Sequence, residues 1–332
     1  MTKIAINGFG RIGRPSFKIA LEKGMEITAI NDLANVENLA YLLKHDSVHR
    51  GFQKNIEIKE GNLVVDGKET KVFSEKDPAN LPWKELGIDV VLECTGFFTD
   101  REKASAHLRA GAKKVIISAP TKDKAIKTIV LGVNEKEIKE SDDILANASC
   151  TTNCLAPIMK VLDENFGVEK SIMSTIHSYT STQALVDRPN KKDFRRGRSA
   201  AENIVPTSTG AAIATTLVLP QLEGNFDGMA LRVPTPVGSI SDITCLLKKD
   251  TSVKELNETF EKASSAELEG ILSYSEEPLV SSDIIDNPYS TIVQGDLTKV
   301  IGGNLVKIIG WYDNEWGYSN RLVELAELIN NK

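Results

Sequence analysis

No two of the four cysteines (Cys94, Cys150, Cys154 and Cys245) stand in C-x-x-C spacing. A structural zinc site, or any other metal centre, is therefore not expected, and free thiols suit a reducing compartment. No apolar run approaches the roughly 20 residues needed to span a bilayer. Basic residues do not dominate: the net charge is −6, which argues against a general nucleic-acid binder. There is no internal repeat, no low-complexity linker and no signal-peptide pattern, since Met1-Thr2-Lys3-Ile4-Ala5-Ile6-Asn7 enters a strand at once. The expectation is a cytoplasmic protein. What is present, 41% hydrophobic and 26% charged residues in a chain of 332, is enough for a large core and two globular domains.

The strand Lys3–Asn7 runs into Gly8-Phe9-Gly10-Arg11-Ile12-Gly13, followed by an amphipathic helix to about Lys23 and a second strand, Glu26–Asn31. G-x-G-x-x-G alone is weak evidence. Here it has strand, helix and second strand around it, and an acid, Asp32, 19 residues past Gly13. Gly8, Gly10 and Gly13 let the backbone approach a pyrophosphate at the helix start. Asp32 would accept from the ribose hydroxyls and repel a 2′-phosphate, which favours NAD over NADP. The rival reading, a tight turn with a solvated aspartate, does not explain the whole context.

Asp143–Ala146 reads as the end of a strand, and Leu155, Ile158, Met159, Leu162 and Phe166 recur at helix-face spacing after it. Between them lies Ala148-Ser149-Cys150-Thr151-Thr152-Asn153-Cys154. Ser149 and Thr151 are helix-start residues, so Cys150 sits at a helix N-terminus, where a thiol is expected to lose its proton more easily. A helix over about 151–165 spans roughly 22 Å. Gly167 allows a turn, and an extended Val168–His177 returns roughly 30 Å, which brings His177 beside Cys150. A cysteine with a histidine base suits covalent catalysis. A buried structural cysteine is the bland alternative; it fits Cys154 and Cys94, but the polar neighbours of Cys150 are poor core lining.

Between these motifs, Asn55–Phe73 reads as an antiparallel excursion with an Asp66-Gly67 turn. His45 and His49 read as a solvated helix end. Asp89–Gly96 is a buried strand, and Thr95, Gly96 and Phe98 at its end are placed to line a cofactor pocket. A helix over 100–110 and strands at 113–118 and 128–131 complete an alternating, parallel α/β pattern. After Cys150 the pattern changes: strands near 169–178, 226–233, 239–247 and 304–312 and helices near 210–219 and 252–265 suggest a mixed or antiparallel sheet. The long polar stretch 179–203 carries Lys191, Lys192, Arg195, Arg196 and Arg198, read mostly as a solvated or subunit-facing basic face. Pro206–Ala212 resembles a hydroxyl-rich helix start. Arg232 ends an apolar strand, an awkward place for a charge without an anionic partner. Trp311–Tyr318 is read as following a strand and preceding the last helix.

Taken together, Asn7–Arg14, Asn31-Asp32, Ser149–Cys154, His177–Thr180, Pro206–Ala212, Arg232–Pro236 and Trp311–Tyr318 resemble phosphorylating glyceraldehyde-3-phosphate dehydrogenases over essentially the whole chain. The resemblance implies a Rossmann-like doubly wound α/β domain over 1–149, joined by the C-terminal helix 316–332. It implies an α+β catalytic domain with a mixed sheet over 150–315. Cys150 is then the nucleophile and His177 its base. Arg11, Ile12, Asp32, Lys76, Ser118 and Asn314 match NAD contacts. Ser149, Thr151, Thr209 and Gly210, with Arg196 beside them, match one anion site; Thr180 and Arg232 match the other. Glyceraldehyde 3-phosphate and inorganic phosphate are the implied substrates and a homotetramer the implied assembly. The sequence departs from the family at Pro236-Val237-Gly238-Ser239, often Pro-Asn-Val-Ser, and at Arg188, where many bacterial members have leucine. The chemical rivals are an erythrose-4-phosphate dehydrogenase, which would hydrolyse the thioester, and a cysteine-dependent semialdehyde dehydrogenase, whose motifs match poorly. A non-catalytic NAD-binding protein is the rival of another class.

Overall fold

The computed structural model describes residues 2–191 and 193–330; Lys192 of the basic cluster and the last two residues of the expected terminal helix lie outside them. The chain divides into two compact units. Unit 1 comprises residues 1–129, 136–148 and 319–332, and unit 2 comprises 130–135 and 149–318.

Unit 1 holds strands β1 (Lys3–Asn7), β2 (Glu26–Asn31), β3 (Ile56–Lys59), β4 (Asn62–Val65), β5 (Lys68–Phe73), β6 (Val90–Glu93), β7 (Lys114–Ile117), β8 (Lys127–Thr128) and β9 (Ile144–Ala146). They form one sheet in the order β3-β4-β5-β2-β1-β6-β7-β9-β8. From β5 to β8 every pairing is parallel. Helices α1 (Gly13–Glu22), α2 (Val36–Lys44), α3 (Trp83–Leu86) and α4 (Arg101–Arg109) lie between the strands in sequence. The chain steps one way from β1 to β2 and the other way from β1 to β6. That reversal opens a crevice at the carboxyl ends of the strands, where ligands bind in such sheets. The expected excursion over Asn55–Phe73 is present, with the Asp66-Gly67 turn in left-handed backbone (φ 48° and 81°), but β5 also joins β2 in parallel. The expected strand at 128–131 is only β8; Val130 and Leu131 have left the sheet.

In unit 2, α5 (Cys150–Phe166) is followed by β10 (Val168–Ser178), β11 (Val205–Ser208), α6 (Ala211–Val218), β12 (Phe226–Val233), β13 (Ser239–Leu247), α7 (Val253–Ser264), β14 (Leu272–Ser275), β15 (Thr291–Gln294), β16 (Lys299–Ile301) and β17 (Leu305–Tyr312). The mixed sheet has the order β11-β12-β10-β13-β17-β15-β14, with β16 paired on β17. The apolar residues that marked α5 in sequence, Leu155, Ile158, Met159, Leu162 and Phe166, are all buried, each worth about 1.5–3 kcal/mol. Ser149 caps α5, its Oγ accepting from Thr152 N at 3.1 Å, a contact worth about 1 kcal/mol. Gly167, at φ 70°, turns the chain back into β10. The Trp311–Tyr318 motif straddles two elements: Trp311 and Tyr312 end β17, and Trp316 opens α8 (Trp316–Asn330).

Candidate active site

The crevice of unit 1 is a cavity of about 580 Å³ lined by Asn7, Gly8, Gly10, Asn31, Asp32, Leu33, Glu75, Lys76, Cys94, Thr95, Phe97 and Phe98. Its floor depends on missing side chains. Gly8 has φ 92°, and a Cβ there would stand 2.8 Å from Thr95 N; a Cβ on Gly13 would stand 2.1 Å from Gly8 O. Gly10 faces open space. The first glycine makes the turn, the second leaves room for a ligand, and the third lets α1 pack on the strand, the three roles required of a dinucleotide fold. Helix α1 has no side-chain cap; Arg14 N is taken by Gly10 O at 3.2 Å and Pro15 has no N–H, so what the turn offers an anion is chiefly the positive end of the helix dipole. Asp32 Oδ2 accepts from Phe9 N at 2.7 Å and Oδ1 from Ala34 N at 3.0 Å, which fixes the carboxylate at the end of β2.

In unit 2, four element ends meet. Cys150 opens α5, His177 and Ser178 end β10, Arg232 lies near the end of β12 in parallel register with His177, and Ser239 opens β13. Helix out and strand back place Cys150 Sγ 3.4 Å from His177 Nε2. Ala148, two residues before Cys150, is buried at φ 53°; backbone strain of this kind costs about 1–3 kcal/mol and clusters at reactive sites. His177 Nδ1 lies 2.7 Å from Ser178 O and 2.6 Å from Arg232 Nη1, which itself donates to Ser178 O at 2.9 Å. A guanidinium only donates, so Nδ1 either donates to the carbonyl or accepts from Arg232. Only the first leaves the Nε2 lone pair facing sulfur.

Arg232 is partly buried and has no acidic partner among the described residues. Burial, and then the Arg232 charge, push the His177 imidazole down to about 3, so it is neutral at pH 7. Burial also raises the Cys150 thiol above its ordinary value, against the pull of Arg232, the Thr151 hydroxyl and the N–H groups of Thr151 and Cys150. The sequence-based expectation of an easily ionised thiol is thus corrected: the helix-start effect is present, but desolvation outweighs it. The chemistry this arrangement supports is attack by sulfur as its proton moves to Nε2.

Two family models match the chain. Glyceraldehyde 3-phosphate dehydrogenase, NAD binding domain, covers residues 2–101, and the C-terminal domain of the same family covers 149–314. The chain belongs to the glyceraldehyde-3-phosphate dehydrogenase family. It is 54% identical to the glyceraldehyde-3-phosphate dehydrogenase of Borreliella burgdorferi, across 98% of this chain and 99% of that one. Identity is 51% to glyceraldehyde-3-phosphate dehydrogenase 2 of Streptomyces avermitilis, across 99% of each. It is 52% to the Geobacillus stearothermophilus protein, across 99% and 98%. NAD is the cofactor of this family's N-terminal domain, and the glycine floor of the cavity fits it.

Of the residues singled out in the sequence, Gly8, Gly10, Asp32 and Lys76 line the cavity. Arg11 is held by Asp46, 2.6 Å away, Gly13 begins α1, and Ile12 precedes it. Ser118 follows β7, and its side chain pulls the Cys94 thiol down against the larger, upward effect of burial. Thr95 and Phe98 are in the lining as expected; Phe97 rather than Gly96 joins them, and Cys94 is partly exposed there instead of being core. Cys154 is fully buried, its thiol donating to Thr291 Oγ1 at 3.3 Å. Asn314 Oδ1 accepts from Ser178 Oγ at 2.8 Å and Ser239 Oγ at 2.9 Å.

The residues expected at anion sites are less uniform. Ser149 Oγ caps α5 and also lies 2.8 Å from Thr152 Oγ1, while Thr151 Oγ1 lies 3.0 Å from Tyr312 OH. Thr209 Oγ1 accepts from Ala211 N at 3.1 Å, beside Gly210 at the start of α6. Arg196 Nε donates to Thr207 Oγ1 at 2.9 Å. Thr180 Oγ1 meets Thr182 Oγ1 at 2.8 Å. The Val237-Gly238 departure has a local cause: Gly238 has φ 89°, and a Cβ there would stand 2.4 Å from Ser281 O. It delivers Ser239 to Asn314. Sequence reading missed Ser239, and Asn7, Asn31 and Glu75 in the cavity; the two asparagines each end a buried strand, a signal that was available.

Proposed function

We propose that the chain oxidises glyceraldehyde 3-phosphate to 1,3-bisphosphoglycerate with NAD and inorganic phosphate. The observation that carries the reading is Cys150 Sγ at 3.4 Å from His177 Nε2, beside a guanidinium with no acidic partner among the described residues. Sulfur bonds to the aldehyde carbon while its proton passes through Nε2 to the carbonyl oxygen, giving a hemithioacetal. Nε2 then takes the hydroxyl proton as the C–H pair leaves as hydride, general-base help worth about 10²–10⁴ in rate. NAD supplies the hydride acceptor. The Cys150 N–H stands at the helix start to stabilise the oxyanion. A thioester remains on Cys150. Phosphate attacks its carbonyl carbon, the C–S bond breaks, and His177 returns the proton to sulfur.

In this reading Thr180 and Arg232 hold the substrate phosphate. Ser149, Thr151, Thr209, Gly210 and Arg196 serve the attacking phosphate, Ser149 and Thr151 chiefly by shaping the helix start their hydroxyls already brace. Gly8, Gly10, Arg11, Ile12, Gly13, Asp32, Lys76, Ser118 and Asn314 serve the cofactor. Unit 1 is the NAD-binding domain and unit 2 the catalytic domain. A homotetramer is supported by Leu185, Val186, Phe194 and Ile204, which are 67–85% exposed in and next to the 179–203 stretch, more apolar surface than a free loop keeps. A cytoplasmic setting is supported by four free cysteines. No helix among the described residues is long and apolar enough to cross a membrane.

The test is NADH absorbance with glyceraldehyde 3-phosphate and NAD, with and without inorganic phosphate, and with erythrose 4-phosphate in parallel. Turnover that requires phosphate and prefers the triose is expected. Turnover indifferent to phosphate, or faster with the tetrose, would assign the chain to the hydrolytic rival.

A further inference from the structure

Behind the cavity of unit 1 runs a chain of buried polar side chains that the reaction above does not use. It begins at Trp83 in α3, whose indole is fully buried. Its Nε1–H donates to His107 Nδ1 in α4 at 3.0 Å. An indole nitrogen can only donate, so Nδ1 is the acceptor and the His107 proton is on Nε2. That N–H faces Glu93 Oε2 at the end of β6, 3.1 Å away. Glu93 also accepts from Asn7 Nδ2 at 2.6 Å, from Thr95 N at 2.8 Å and from the Thr95 hydroxyl. Four donors surround one buried carboxylate.

The chain continues to the cavity wall. Asn7 has its Nδ2 committed to Glu93, so its Oδ1 is left to accept from Asn31 Nδ2 at 2.7 Å. Asn31 Oδ1 in turn accepts from Glu75 N at 2.8 Å, and its Nδ2 also reaches Glu75 O at 2.9 Å. Asn7, Asn31, Glu75 and Thr95 line the cavity; Trp83, His107 and Glu93 do not. The His107 ring also lies edge-on to the lining residue Phe98, with centroids 6.1 Å apart. Every link has a fixed direction, set by the donor-only indole at one end and the backbone of Glu75 at the other. Turning one amide or one tautomer around puts two donors or two acceptors face to face.

We propose that Trp83, His107 and Glu93 are positioning residues for the cofactor: their one-way hydrogen-bond relay sets the facing of the Asn7 and Asn31 amides and of the Thr95 turn before NAD arrives. This rests on the reading of the unit 1 cavity as the NAD site. A buried donor or acceptor left without its partner is costly, and that cost falls on the cavity wall.

The test is NAD binding by calorimetry to the full chain, as wild type, His107→Leu and His107→Gln, with thermal unfolding of each ligand-free protein. Glutamine can accept from the indole and donate to Glu93; leucine can do neither. The expected result is that His107→Leu binds NAD about tenfold more weakly, that NAD KM rises while kcat at saturating NAD is kept, and that His107→Gln recovers most of the affinity. If His107→Leu does not fold, Trp83→Phe, which deletes a single N–H, takes its place with the same expectation. Affinity equal to wild type in the leucine or Trp83→Phe variant, or a glutamine variant as weak as leucine at equal stability, would overturn the relay. Wild-type protein that fails to bind NAD would instead overturn the reading of the cavity.

Discussion

In unit 1 the buried Glu93 carboxylate has four donors and Arg11 is met by Asp46 at 2.6 Å. In unit 2 Arg232 has no acidic partner among the described residues and crowds a histidine at 2.6 Å. The two sites hold polar groups for different ends. A pocket that must take the same cofactor unchanged in shape gains from having each wall group already satisfied, because nothing reorganises on binding. A site that handles anions gains from a charge left unmatched, because the substrate itself completes it. A partly desolvated guanidinium without an anionic partner is costly in the free protein, and a phosphate bound there, as proposed, would remove that cost.

The largest expected effect separates the two sites outright. Cys150→Ser should lower turnover by about 10⁴-fold or more and leave the NAD Kd unchanged, since no residue of the unit 1 cavity is touched; steady-state rates and calorimetry check it. Near-normal turnover would remove the covalent scheme. Next in size is Arg232→Leu. Losing charge-assisted hydrogen bonds at about 1.5–3 kcal/mol each should cut kcat/KM for glyceraldehyde 3-phosphate by about 10², but leave any rate measured with unphosphorylated glyceraldehyde almost unchanged. Equal losses on both substrates would mean that Arg232 acts on His177 and not on phosphate.

Much of this contrast was legible in the sequence, for reasons that differ by residue. The Gly8–Gly13 turn and Asp32 are local: a strand, three glycines and a helix start carry their own geometry. The Cys150–His177 approach was also readable, because a helix out and a strand back of similar length close on themselves. Arg232 was visible only as a charge at the end of an apolar strand. Its register beside His177 depends on the β10–β12 pairing, which spans 55 residues and leaves no local trace. The balance at Cys150 was misread because burial comes from the packed whole and the helix start from three residues. Glu93 and His107 looked like an ordinary strand end and helix residue; only the fold brings them within 3.1 Å.

Acid should break the two units in different windows. Burial and Arg232 depress His177 from an ordinary 6.5 to about 3. Between those values the unfolded chain binds a proton that the folded chain refuses, so stability falls as pH drops from 6.5 toward 3, by up to about 1.4 kcal/mol per pH unit. In unit 1, Asp46 is held down to about 2 against the opposing effect of burial, by the Val48 and His49 N–H groups and by Arg11, from an ordinary 3.8. Its contribution is present above 3.8 and is lost only as pH falls toward 2. Urea unfolding of wild type and His177→Asn at pH 7 and pH 5 checks this: the variant should lose less stability between the two. Equal losses would mean that His177 is not held neutral by its surroundings.

The smallest expected effect tests whether unit 2 has a satisfied corner of its own. Asn314 Oδ1 accepts from two hydroxyls, Ser178 Oγ and Ser239 Oγ, both fully buried. Both hydroxyls donate to Oδ1, so the Nδ2 hydrogens are turned the other way, as the proposed cofactor contact at Asn314 requires. Either serine alone still donates to Oδ1. Ser239→Ala or Ser178→Ala should therefore raise the NAD KM by no more than about fivefold, the worth of one net hydrogen bond. The double variant lets the amide turn over, and its loss should exceed the product of the two single losses; a double-mutant cycle on the NAD KM measures the excess. Strict additivity would mean that the amide is aligned by packing alone, and that pairing polar groups to aim a donor is confined to unit 1.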